Sequence, residues 1–151
     1  LPARELGDRK ARHYAILENW TSFGKVTGMC FFGPAPRSFI AVDEIVQLVR
    51  AVTGWDVALD DLLRIGERAT NLARAFNVLH GFSRTDDTLP PRLFEPLPCG
   101  PMEGVAISKP DFERTMGALY ELKGWDPATA RPTRDRLRGL EIEWVADLLE
   151  A

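Results

Sequence analysis

From about Ala58 to Val78 the chain reads ALDDLLRIGERATNLARAFNV, and its apolar residues return at every third or fourth step. Leu59, Leu62, Leu63, Ile65, Ala69, Leu72, Ala73 and Phe76 share one side, while Asp60, Asp61, Arg64, Glu67, Arg68 and Arg74 take the other. Only an α-helix gathers such a spacing on one face, because a strand sends alternate residues to opposite sides. Asp60 and Asp61 stand in its first turn, where the helix dipole favours acids, and Gly81 follows as a stop signal. A helix of about six turns with one apolar stripe must bury that stripe against other elements. Glycine inside it, at Gly66, costs about 1 kcal/mol relative to alanine, so a close helix contact is expected there.

The partners for that stripe are also helical. Ile45, Leu48, Val49 and Val52 form a second pattern, opened by Asp43 and closed at Gly54. An earlier helix runs from about Ala11 to Phe23, with Tyr14, Leu17 and Ile16 expected inward and a break around Gly24. Lys109 or Pro110 to Lys123 carries Phe112, Met116, Leu119, Tyr120 and Leu122 as a stripe ended by Gly124. Thr133 starts a short helix through Leu140, and Glu143 to Leu149 forms the last. The only strand signal is the short apolar stretch Gly104 to Ser108. The expected fold is all-α and multihelical, with about six helices and long Pro/Gly-rich connectors. One connector, TDDTLPPRLFEPLPCGPMEG, holds five of the chain's 11 prolines. A loop of that length inside a compact domain serves a function or wraps a neighbouring surface.

Bulk properties narrow the function classes. With 151 residues, 45% hydrophobic and 27% charged, the chain suits one ordinary globular domain. No apolar run is long enough to cross a bilayer. A net charge of −3 without a basic tract points to neither nucleic acid nor an anionic membrane as partner. Cys30 and Cys99 are too few for a disulfide framework and suit a reducing compartment, most simply the cytoplasm. The chain opens Leu1-Pro2-Ala3-Arg4, without an initiator Met or a signal-peptide pattern, and is read as a piece of a longer protein.

Residue by residue, little catalytic machinery stands out. His13 and His80 are far apart and pair with no serine or cysteine in a recognisable arrangement. Gly100 and Gly104 follow prolines rather than a strand, so they form no phosphate loop. Asp86-Asp87 reads as a solvated turn, with a metal carboxylate pair as the alternative. Trp20, Trp55, Trp125 and Trp144 are expected to pack helix ends, with Asp56 and Asp126 capping the helices that follow. Glu67 and Arg68 suggest a buried or half-buried ion pair. Cys30, in the stretch TGMCFFG, has two readings: a small core hydrophobe, or a ligand.

Three stretches taken together add a family. They are KVTGMCFF, then LLRIGERATNLARAFNVLHGFSRTDDTLPPRLFEPLPCGP, then YELKGWDPATARPT. Their order and spacing resemble the C-terminal part of the tungsten-containing aldehyde ferredoxin oxidoreductases, from about Trp20 to Leu140. That resemblance implies that residues 1–151 are the C-terminal helical domain of a larger oxidoreductase. The N-terminal pterin-binding region and a Cys-x-x-Cys-x-x-x-Cys run would lie elsewhere in the same protein.

The resemblance further implies an enzyme that oxidises an aldehyde, with water, to a carboxylic acid. The cofactors would be a tungsten (or molybdenum) bis-pterin and a [4Fe–4S] cluster, with ferredoxin or a similar carrier taking the electrons. The partners implied are the N-terminal domains, the carrier, the aldehyde and a second copy of the protein. Cys30 aligns with the fourth cluster ligand, and backbone around Gly28 and Met29 would face the cofactors. Alone, the domain is expected to hold neither cofactor tightly and to turn over nothing. Two departures bear on the branch. Lys25 stands where the family commonly has an Asp that accepts from pterin N–H groups, and Leu79-His80 replaces an Arg-Glu pair. His80 facing the substrate channel is an alternative to a solvated loop histidine, and Cys99 is incidental. A ring-reducing benzoyl-CoA reductase subunit and a non-catalytic helical interaction module are the competing readings.

Overall fold

The computed structural model describes residues 5–30 and 40–150. Six α-helices form: α1 (Asp8–Val26), α2 (Val42–Thr53), α3 (Leu59–Leu79), α4 (Lys109–Lys123), α5 (Arg134–Gly139) and α6 (Trp144–Glu150). Among the described residues there is no strand, only an isolated bridge between Trp125 and Pro132. The all-α expectation holds. Gly104 to Ser108 forms no strand but pairs with the preceding loop: Leu97 donates to the Val105 carbonyl at 3.0 Å and Ile107 to that of Leu93 at 3.0 Å. The proline-rich connector thus folds back on itself and lies along the start of α4, where Phe94 meets Phe112 edge-on at 5.7 Å.

Helix ends follow local chemistry. The Glu44 carboxylate accepts from Ala41 N–H at 2.6 Å to open α2, and Asp61 accepts from Ala58 N–H at 2.8 Å to open α3. Ser108 and Thr133 cap α4 and α5 with their hydroxyls. Gly54 and Gly124 close α2 and α4 in the left-handed region, at φ 72° and 65°. Asp56 caps nothing and stands exposed, because Asp61 already supplies the acceptor for α3. Asp126 closes a turn instead of a helix, accepting from Ala128 and Thr129.

α3 is the central element, with α1 laid closely along it and α4 packed against α1. Gly66 faces the α1 backbone at Asn19, which is the close contact its position implied. This geometry corrects the reading of α1. The helix runs through Gly24 to Val26, and Ala11 and Phe23 are its buried apolar residues. Tyr14, Ile16 and Leu17 are exposed, because a backbone-to-backbone contact turns the small residues of α1 toward α3. Around this pair sit three apolar clusters. Phe23, Ile45 and Leu62 join α1, α2 and α3; Tyr120, Trp125 and Ala130 fill the end of α4; Leu137, Leu140 and Val145 pack α5 and α6 on Ala75. Trp20 and Trp125 pack as expected, whereas Trp55 and Trp144 remain exposed.

Candidate functional site

The Cys30 turn is built from the end of α1. Thr27 donates its N–H and its hydroxyl to the Phe23 carbonyl, at 3.1 and 2.8 Å, and Met29 N–H donates to Gly24 at 3.0 Å. Closing the helix this way requires Gly28 at φ 73°, a conformation L side chains rarely adopt. A Cβ there would meet no atom within 4 Å, so within this chain the glycine answers a dihedral demand and not a packing one. The Met29 side chain packs against the Phe23–Ile45–Leu62 cluster, which anchors the turn from inside. Cys30, the next residue, is exposed, unlike a core cysteine. Phe31 and the residues to 39 lie outside the described residues.

A thiol in this setting fits a cluster as one of several donors. Thiolates are the ligands that iron–sulfur clusters use, and an exposed thiol lets a neighbouring segment complete the set. Among the described residues no group of three or more His, Cys, Asp or Glu could hold a metal ion without help. Lys25, exposed one turn earlier, does not fit the pterin contact that an Asp would make, since an ammonium cannot accept from N–H groups.

The other expected positions separate from this turn. His80 ends α3, stacks on Phe76 at 4.2 Å and keeps Nδ1 2.9 Å from the Phe76 carbonyl, in an exposed position. Cys99 is exposed in the proline-rich loop, without a disulfide. Glu67 forms an ion pair with Arg136 of α5 and Arg68 one with Glu141, in the turn after α5, at 2.7 Å, so both tie α3 to that part of the chain.

One polar network escapes a reading of the residues one at a time. Asp86 and Asp87 are not a solvated pair: Asp86 closes its own turn by accepting from Ser83 N–H at 2.8 Å, while Asp87 turns inward. Asp87 pairs with both terminal nitrogens of Arg74, at 2.9 and 2.8 Å, and accepts from the Tyr120 hydroxyl. Arg74, 7% exposed, also donates from Nε to the Ala130 carbonyl at 2.8 Å and lies 5.1 Å over the Trp125 ring. Trp125 donates to Asn71 at 2.9 Å and carries the Lys123 ammonium 4.5 Å above its ring. Lys123 in turn pairs with Glu18 of α1. Burial, with the Asp87 hydrogen bond second, pushes the Tyr120 hydroxyl up to about 12. Burial also pulls Lys123 below its ordinary value, against the Glu18 carboxylate.

The members come from separate stretches: Arg74 from Arg-Ala-Phe-Asn, Asp87 from Asp-Asp-Thr-Leu-Pro, and Tyr120 and Trp125 from Tyr-Glu-Leu-Lys-Gly-Trp. The available signal was therefore polar residues spaced inside otherwise apolar helix patterns. Every member is engaged, so the network positions the loop and the helices and offers no free nucleophile. It floors a cleft of about 730 Å³ between α1, α3 and α4, with Lys25 at one rim.

The family profile described as aldehyde ferredoxin oxidoreductase, domains 2 and 3, matches residues 2–142. The tungsten-containing aldehyde ferredoxin oxidoreductase of Pyrococcus horikoshii is 31% identical over 142 residues, which are 92% of this chain and 22% of that protein. The aliphatic sulfonate oxidoreductase WOR-like subunit of Pyrococcus furiosus is 33% identical over 90 residues, 56% of this chain and 14% of that one. In shape, the active-site complex BamBC of benzoyl coenzyme A reductase, solved with 1,5-dienoyl-CoA, superposes with a TM-score of 0.76 at 20% identity. That match covers 93% of this chain and 20% of the other, and it shows a shared fold. The chain thus spans about a fifth of the length of these relatives.

Proposed function

The chain belongs to the aldehyde ferredoxin oxidoreductase family, and on that premise we propose that it is the C-terminal helical domain of an enzyme oxidising aldehydes to carboxylic acids. The overall change takes an aldehyde and water to the acid, two protons and two electrons. A tungsten or molybdenum bis-pterin would supply the two-electron chemistry, and a [4Fe–4S] cluster would pass the electrons singly to ferredoxin or a similar carrier.

This chain's part is positional. The Cys30 thiolate is the fourth cluster ligand, held outward by the Gly28 turn while Met29 secures the turn from the core. Hydrogen bonds to the cluster sulfurs would tune its potential. The observation that carries this reading is the exposure of Cys30 at the end of a closed helix turn, in a chain of this family. Two exposed thiols without a disulfide suit the reducing cytoplasm. The remaining domains of the same protein would cover the exposed side of this turn and supply the other three thiolates. Lys25 favours a second substrate branch on the same scaffold, such as ring reduction of an aromatic thioester, because it removes the acceptor expected at the pterin.

The test is electron paramagnetic resonance with metal analysis on the full-length protein, with and without Cys30→Ala. Loss of the [4Fe–4S] signal and of about one iron or more per cluster is expected in the variant. An unchanged signal would refute the ligand assignment.

A further inference from the structure

We propose that a second pocket, on the other flank of α1, binds a phosphate group, free or at the end of a small ester. Arg12, Ala15, Ile16 and Asn19 of α1 line it, whereas Tyr14, Leu17, Thr21 and Lys25 line the larger cleft. Residues three and four apart share a helix face, so the two sets point to different sides. The pocket measures about 280 Å³ and is closed by Glu67 of α3, Lys123 of α4 and Arg136 of α5. It takes no part in the Cys30 turn, and the proposal stands apart from the cluster assignment.

Hydrogen-bond donors are in excess here. Three cations, Arg12, Lys123 and Arg136, stand against one carboxylate, Glu67. Lys123 pairs with Glu18, which lines the larger cleft instead. Glu67 pairs with Arg136, but only through Nη2, the nitrogen that also donates to the Leu122 carbonyl at 3.3 Å. Nη1 of Arg136 has no acceptor among the described residues, and its Nε is buried without one. Most of this guanidinium's N–H groups are thus unused. Arg12, exposed, forms no ion pair among the described residues, and the Asn19 side-chain amide forms no hydrogen bond there.

These features select the ligand. A buried N–H without an acceptor costs free energy, which an incoming oxygen recovers after a small turn of the guanidinium. The Arg136 stem lies against Gly124, which fixes its base and leaves the head to turn. A planar guanidinium matches the spacing of phosphate oxygens, and Arg12 meets the remaining charge. The donors of Arg12, Asn19 and Arg136 replace the water that a dianion gives up on entering. Ile16 and Leu122 supply apolar surface for the short body of an ester.

The experiment is a calorimetric titration of the full-length protein with inorganic phosphate, phenyl phosphate and chloride at constant ionic strength. Saturable binding of one phosphate or both is expected, and none of chloride. Whichever phosphate binds more tightly identifies the source, the free ion or an ester. Arg12→Gln should weaken binding about fivefold, the scale of one exposed charge pair. Asn19→Asp puts a carboxylate into the pocket and should weaken it further. Arg136→Lys keeps the charge, removes the planar fork and should weaken binding at least about fivefold. Arg12 is exposed and Asn19 half-buried, so those two variants decide the matter should Arg136→Lys fail to fold by circular dichroism. Three results would each overturn the proposal: no saturable binding of either phosphate, an equal response to chloride, or undiminished binding by any variant that folds. None of them touches the Cys30 cluster signal, so the two ideas fail separately.

Discussion

Gly66 of α3 lies directly against Asn19 of α1: a Cβ on Gly66 would stand 1.8 Å from the Asn19 carbonyl oxygen and 2.9 Å from the Phe23 amide nitrogen. Both obstacles are backbone, so neither can swing aside. Gly66→Ala should gain about 1 kcal/mol of intrinsic helix preference and lose more by forcing two helices apart. The expected net loss is about 2 kcal/mol or more, read as a lower midpoint in chemical denaturation. A midpoint equal to or above that of the parent chain would mean the helices do not meet as described.

The Glu18–Lys123 pair should respond unequally to losing either member. The Lys123 side chain is 7% exposed and that of Glu18 27%, so a lone Glu18 can hydrate and a lone Lys123 cannot. Glu18→Gln is therefore expected to cost about 2–3 kcal/mol, and Lys123→Met under about 1 kcal/mol. Urea denaturation of the two variants decides it. The reverse order would show that the ammonium has a route to water.

Tyr120 should titrate apart from free tyrosine. Its hydroxyl is raised to about 12 in the folded chain, first by burial and then by the bond to Asp87. A raised value favours the protonated phenol in the folded state. Its contribution is present below the unfolded value near 10 and is lost as pH rises through about 12. Ultraviolet titration of the two tyrosines should show neither ionising at its ordinary value, since Tyr14 is also raised, mainly by burial. In Tyr120→Phe the upper transition should vanish. A full transition of both phenols near 10, while the chain remains folded, would contradict the buried network.

Gly28 separates dihedral strain from packing. With φ at 73° and open space around the Cα, Gly28→Ala should cost about 1 kcal/mol from backbone conformation alone. Gly28→Asn should cost less, because Asn enters the left-handed region more readily. Denaturation midpoints in the order Gly, Asn, Ala are expected. An alanine variant as stable as the parent would show that the turn re-forms another way.

Much of the architecture was legible along the chain because it depends on neighbours in sequence. Apolar periodicity located the four long helices, and Gly54, Gly124 and Thr133 marked ends that are set within one turn. Gly66 could be flagged because glycine in a helix interior carries a local cost that only a close approach would repay. The inward face of α1 was misread for the opposite reason. Its orientation is set by the backbone contact with α3, so Phe23 enters the core while Tyr14, Ile16 and Leu17 cover the outside. Asp87 was misread as solvated because nothing adjacent to it reveals that Arg74 and Tyr120, 13 and 33 positions away, converge on it.

The sequence by itself determined the helical class, several helix ends, the family and the candidacy of Cys30, all of which rest on short-range backbone preference or on motif order. Only the tertiary structure decided that Cys30 faces outward while Met29 faces the core, and that one loop aspartate gathers an arginine and a tyrosine. It also placed Lys25 on the lining of the cleft above that network. The physical reason is that burial and charge pairing are properties of distance in space. A buried charge must find its counter-charge wherever the packed helices bring one, however far away it lies in the chain.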